Sequence, residues 1–179
     1  MINTWFISDT HFGHANILKY EPEARPFSTV EEMNEKLIEN WNKTVKPKDI
    51  IFHCGDFAFG KSNIDIAGRL NGRKKLILGN HDTYKPECYL AYFGCLYGAY
   101  YWKRCILTHI PVHPDNLGSR FLLNVHGHLH SKTIKYPIVL VPGWIIDDPN
   151  YFNVSCEQNN LTPIHADIIL ERIKELDCD

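Results

Sequence analysis

The chain has 179 residues, 44% of them hydrophobic and 22% charged, the mixture expected of a single globular domain spanning 1–179. Nineteen basic against twenty-one acidic residues give a net charge of −2, which argues against a generally basic nucleic-acid binder but leaves ten histidines uncounted. Apolar runs such as Ile138–Val141 are too short to cross a bilayer, no secretory signal is evident, and six cysteines without CxxC spacing read as free thiols of a cytoplasmic protein.

In chain order, Thr4–Ser8 reads as a strand ending at Asp9. Ser28-Thr29-Val30-Glu31 has the form of a capping box, opening a helix with Val30, Met33, Leu37 and Trp41 on one face. Asp49–His53 is the next strand, ending at Gly55-Asp56. Ser62–Leu70 has helical spacing, with Gly72 as its stop signal. Lys74–Leu78 is a third strand, ending at Gly79-Asn80, and Tyr84–Phe93 a short helix. Five strands are then predicted: Tyr97–Trp102, Cys105–Thr108, Phe121–His126, Ile138–Val141 and Tyr151–Val154. A last helix is expected from Thr162-Pro163, with Thr162 as its cap and Ile164, Ile168, Ile169, Ile173 and Leu176 on its apolar face. Alternating strands and helices followed by a run of strands indicate an α/β protein with two packed sheets. Asp9, Asp56 and Asn80 follow strand ends, the edge where open α/β sheets carry their sites.

Five segments hold nine of the ten histidines: Ser8–His14, His53–Asp56, Gly79–Asp82, Thr108–His113 and His126–His130. Asp9-x-His11 puts a carboxylate and an imidazole on one side of a strand end, a pair suited to a divalent metal. Asn80-His81-Asp82 joins an oxygen donor, an imidazole and a carboxylate, and His128-x-His130 is a chelating pair. Taken singly, Asp9, His11, Asp56 and His109 read first as ordinary surface or turn residues.

Their order carries more than any one of them. D-x-H, GD, GNHD, a lone histidine in a strand-end turn and GHxH follow one another as Asp9/His11, Asp56, Asn80–Asp82, His109 and His128/His130. In this the chain resembles the calcineurin-like metallophosphoesterase superfamily, as a small single-domain member, over residues 7 to 130. The resemblance implies a four-layer αββα sandwich, two mixed β-sheets flanked by helices. It implies two divalent metals, one among Asp9, His11, Asp56 and His130, the other among Asp56, Asn80, His109 and His128, with Asp56 bridging. It makes His81 a catalytic histidine beside the substrate phosphate, steered by Asp82.

In-line attack on a phosphoester needs a hydroxide, which a metal-bridging water provides near neutral pH. Two divalent ions bring four positive charges and the carboxylates of Asp9 and Asp56 remove two, so an imidazole-rich shell leaves the site cationic on a slightly acidic protein. Such donors suit Mn, the expected metal, as well as Fe, Zn or Ni. The expected activity is phosphodiester hydrolysis. Phosphomonoesterase, nuclease, cyclic-nucleotide hydrolase and a non-catalytic scaffold of the same fold are the alternatives; nucleic acid enters only as a substrate, and no membrane partner is expected.

Outside the motifs, His14 is a candidate for the substrate phosphate or for supporting a metal ligand. Arg25 is either a bidentate phosphate clamp or a solvated arginine. His126 shares a strand face with His128 and either supports it or is simply buried. His113 and His165 read as turn and surface residues, His53 as a support or strand residue, and Asn150–Pro163 as structural.

Overall fold

Apolar residues alternate along the first strands, and that alternation separates two layers of core. In a computed structural model, which describes residues 1–118, 120–137 and 145–178, the strands β1 (Thr4–Ile7), β2 (Ile50–His53), β3 (Arg73–Ile77) and β4 (Cys95–Tyr97) run parallel. β11 (Ile164–His165) closes this sheet antiparallel to β1, in the order β11-β1-β2-β3-β4. A second mixed sheet has the order β10-β7-β6-β5, from β5 (Tyr100–Trp102), β6 (Cys105–Leu107), β7 (Leu123–His126) and β10 (Tyr151–Asn153). There β6, β7 and β10 are parallel and β5 is antiparallel to β6. β8 (Lys135–Pro137) and β9 (Ile145–Asp147) form an exposed antiparallel ribbon.

Phe6, Phe52 and Ile77 face Leu107, Leu123 and Val125 between the sheets. Ile7, Ile51 and Leu76 face the other way, against Met33, Leu37 and Trp41 of α2 (Val30–Thr44) and Ile64 and Ala67 of a 3₁₀ helix over Lys61–Arg69. The short α1 (Ile17–Tyr20) and α3 (Pro86–Leu90) add Ile17 and Tyr89 to that layer. Ile169 and Ile173 of α4 (Ala166–Asp177) join the core between the sheets. The fold is therefore mixed α/β with two facing mixed sheets and few helices, as the motifs imply.

Local departures have local causes. The Ser62–Leu70 helix is 3₁₀ over Lys61–Arg69. The cap of α2 lies one residue later than expected: Thr29 accepts from the Glu32 N–H, and the Glu32 carboxylate accepts from the Ser28 N–H. The predicted strand Tyr97–Trp102 divides at Gly98-Ala99, its first part ending the first sheet and its second opening the other. Pairing of Ile164–His165 with β1 delays the last helix to Ala166, and His165 rather than Thr162 caps it by accepting from the Asp167 N–H. The predicted strand Ile138–Val141 lies outside the described residues.

The sheets meet at the carboxyl end of β1. The Ser8 N–H donates to the Val154 carbonyl at 2.8 Å, and the Cys156 N–H to the Ser8 carbonyl at 3.0 Å, so the chain after β10 extends the first sheet's edge. The carboxyl ends of β1, β2, β3, β6, β7 and β10 thereby converge on one region.

Candidate metal centre

Each of the five motifs lies immediately beyond one of those strand ends. Asp9 and His11 follow β1, Asp56 follows β2, Asn80, His81 and Asp82 follow β3, His109 follows β6, and His128 and His130 follow β7. Their backbones are unusual. Asp9, His11, Asp56, His128 and His130 all have φ between 48° and 69°, the left-handed region. For a residue with a Cβ this costs about 1–2 kcal/mol each, and such strain is typical of functional sites. Glycines permit the close approaches between the loops. A Cβ on Gly79 would lie 2.2 Å from Asp56 Oδ1, and one on Gly127 would lie 2.0 Å from Ser8 Oγ and 2.4 Å from Asp9 Oδ2.

Two clusters result: Asp9, His11 and His130 form one, Asp56, His109 and His128 the other. Asn80 joins the second, its Oδ1 lying 3.0 Å from His109 Nε2. Asp56 Oδ2 faces both, at 3.2 Å from His109 Nε2 and 3.7 Å from His11 Nε2. Asp9 Oδ1 lies 3.9 Å from the Nε2 atoms of both His11 and His130. Asp9, His11, Asp56 and His109 are buried, whereas Asn80 and His81 form the exposed rim. A cleft lined by Leu78, Asn80, Thr108, His109 and Ile110 opens beside the second cluster.

Whether these groups fit divalent ions is decided by their unmet bonding. Asp9 Oδ1 and His11 Nε2 are buried and have no hydrogen-bond partner, a costly arrangement unless a cation satisfies them. Burial pulls the His11 ring down to a pKa of about 2, so it is neutral with a free lone pair. His109 Nδ1–H donates to the Cys54 carbonyl at 2.9 Å, which turns Nε2 toward Asp56 and Asn80; burial opposes charge on this ring, but its hydrogen bond to Asp56 and the charges of Asp9 and Asp56 raise its pKa. Burial opposes the charge of Asp56, but the hydrogen bond and charge of His109, the His81 N–H and His11 bring its carboxyl down to about 2. Unpartnered Asp9 Oδ1 and His11 Nε2, among carboxylate and imidazole donors that converge in two clusters, fit cations, whose binding would displace the proton His109 holds toward Asp56.

The remaining candidates are placed differently. His14 lies beside the first cluster, its ring 5.3 Å from that of His11 and stacked on Phe59 at 4.4 Å. The His81 ring is 5.5 Å from that of His11, at the mouth. Asp82 does not steer it: the buried Asp82 carboxylate accepts from the N–H groups of Asp56, Phe57 and Gly79, tying the GD loop to the GNHD loop. Arg25 is neither solvated nor open to a phosphate. It is 1% exposed, and its guanidinium donates to Glu157 and to the carbonyls of Asp9 and Thr10. His126 is buried and donates from Nδ1 to the Gly127 carbonyl, which shapes the GHxH loop. His53 bonds the Thr10 hydroxyl at 3.0 Å, and His113 caps a 3₁₀ turn at Pro114–Asn116.

Sequence reasoning missed the segment after β10. Ser155 Oγ donates to Asp9 Oδ2 at 2.8 Å, Asn153 Nδ2 to the carbonyls of His130 and Lys132, and Glu157 Oε1 accepts from His130 Nδ1 at 2.9 Å. The available signal was position: β10 was expected, and the residues beyond its carboxyl end lie on the same edge as the other motifs.

The chain belongs to the calcineurin-like phosphoesterase family, whose model matches residues 2–176. The family is one of phosphoester hydrolases that use divalent metals. The chain is similar to the uncharacterized protein MJ1445 of Methanocaldococcus jannaschii, at 37% identity over 186 residues covering 98% of this chain and 93% of that protein. It is also similar to the gene 66 protein of Mycobacterium phage D29, at 29% identity over 171 residues covering 75% and 82%. Among solved structures, the protein of unknown function AQ665 from Aquifex aeolicus superposes with a TM-score of 0.70 at 27% identity, covering 96% of this chain and 99% of that one. No helix among the described residues is long and apolar enough to cross a membrane.

If Asp82 is a backbone tie, Asp82→Asn replaces an acceptor oxygen with an amide group facing N–H donors. The expected outcome is a loss of about 1–3 kcal/mol in unfolding free energy, measured by denaturant titration, with the pH profile of kcat unmoved. A shifted pH profile at unchanged stability would restore the steering role.

Proposed function

We propose that the protein is a dinuclear-metal-dependent phosphodiesterase. The observation that carries this reading is the single oxygen Asp56 Oδ2, which faces both clusters. Asp9, His11, His130 and Asp56 would hold one ion, and Asp56, Asn80, His109 and His128 the other. Two divalent ions, Mn foremost, with Fe, Zn or Ni as substitutes, would supply an acidified water and positive charge for the phosphate oxygens. The protein's own part is to present Asp56 to both clusters, keep His11 neutral by burial, and turn the Nε2 atoms of His11, His109 and His130 inward. His81, exposed at the mouth, would donate a proton or a hydrogen bond to the departing oxygen. His14 stands beside it as a substrate contact.

Preference for a diester is supported by Arg25. That guanidinium is engaged by Glu157 and two backbone carbonyls, so it does not add charge for a dianionic monoester, whereas a monoanionic diester needs less. Six unpaired cysteines accord with a cytoplasmic setting.

Three outcomes test this. Elemental analysis is expected to find two metals per chain in the wild type and at most one in Asp56→Asn; two in the variant would remove the bridge. After Mn loading, kcat/KM for bis-p-nitrophenyl phosphate should exceed that for p-nitrophenyl phosphate at least about tenfold, or about 1.4 kcal/mol in the barrier; the reverse order would make the protein a monoesterase. His81→Ala should retain both metals and lose most of kcat, and equal turnover at saturating substrate would exclude a role for that ring.

A further inference from the structure

His109 and His130 occupy equivalent places in the two clusters, but different groups hold them. The outer nitrogen of His109 donates to a backbone carbonyl, that of Cys54. The outer nitrogen of His130 donates to a carboxylate, Glu157 Oε1 at 2.9 Å. The same oxygen accepts from Arg25 Nη2 at 2.6 Å and Arg25 Nε at 2.8 Å, and both side chains of this ion pair are 0% exposed. Arg25 reaches on to the carbonyls of Asp9 and Thr10, the backbone beside two other members of the first cluster. None of these contacts involves the second cluster.

We propose that Glu157, braced by Arg25, is a positioning residue that sets the affinity of the Asp9–His11–His130 site independently of the other. A carboxylate accepting from Nδ1–H locks the tautomer in which Nε2 carries the lone pair, and makes that nitrogen a stronger donor than a neutral carbonyl partner does. The bracing matters because the Glu157 side chain is closed off from solvent, and an unpaired buried carboxylate would abandon its charge. Arg25 and Glu157 together add no net charge, so they tune one site while leaving the cationic balance of the centre unchanged. The geometry also explains why a buried arginine adjoins a centre that binds cations: its charge is matched by Glu157 before it reaches the ions. The proposal rests on the dinuclear reading above.

The test is Glu157→Gln, which keeps the shape and removes the charge, compared with the wild type by Mn²⁺ titration, electron paramagnetic resonance and thermal melting of the metal-free protein. The wild type is expected to bind two ions and give a spin-coupled pair. The variant is expected to bind one ion with wild-type affinity and the other about ten- to a hundredfold more weakly, so that at one equivalent or slightly above it shows an uncoupled single-ion signal. Since Glu157→Gln leaves Arg25 unpaired and can destabilise the fold, the double variant Arg25→Gln/Glu157→Gln serves as the second arm. It is expected to melt near the wild-type temperature and still show the selective weakening. Unchanged affinity for both ions in the single variant, equal weakening of both, or full recovery of affinity in the double variant would each overturn the proposal. A wild type that binds fewer than two ions would overturn the dinuclear reading beneath it, a result separable from the others.

Discussion

Two buried carboxylates divide their oxygens between structure and site, and the rest of the centre depends on that division. Asp9 turns Oδ2 to the His128 N–H at 2.9 Å and the Ser155 hydroxyl at 2.8 Å, leaving Oδ1 toward His11 and His130. Asp56 turns Oδ1 to the His81 N–H at 2.8 Å, leaving Oδ2 toward His11 and His109. In each case one oxygen ties strand-end loops together while the other is held aside. The loops from both sheets are therefore assembled around the same two carboxylates that face the candidate metal clusters, and neither can change its geometry without moving a loop.

This arrangement explains why the ligand-bearing loops adopt costly backbone conformations. Five non-glycine residues in the left-handed region would be poor local choices anywhere else. Here hydrogen bonds from neighbouring loops oppose that cost, the Asp82 carboxylate alone accepting from three N–H groups. Free energy from the two apolar layers is converted into a preorganised, strained site, the usual relation between a rigid scaffold and the loops it carries.

The sequence revealed the strands and the cluster members well, because both are written in local patterns. Alternation in Trp5-Phe6-Ile7 and Ile51-Phe52-His53 marks strands buried on two faces, and the residues beyond them mark the edge. What it hid was non-local. Arg25 lies 132 residues from Glu157, and no spacing rule links a loop arginine to a glutamate beyond a late strand. Asp82 is adjacent to His81 in the chain, which suggested a pair, but the turn sends the two side chains to opposite sides of the backbone's work: one into the loop junction, the other to the rim. The division of Tyr97–Trp102 between two sheets was equally hidden, because each half has the same strand pattern and only tertiary packing assigns them different partners.

The junction at Ser8 has a consequence for how the molecule is made. Its partners, Val154 and Cys156, belong to the final sixth of the chain, as do Ser155 and Glu157. A nascent chain that has emerged only as far as His130 already contains every one of the five motifs, yet it lacks the groups that anchor Asp9 and His130. The two clusters are therefore complete only when the last parallel strand has docked, after the whole of the five motifs has been made.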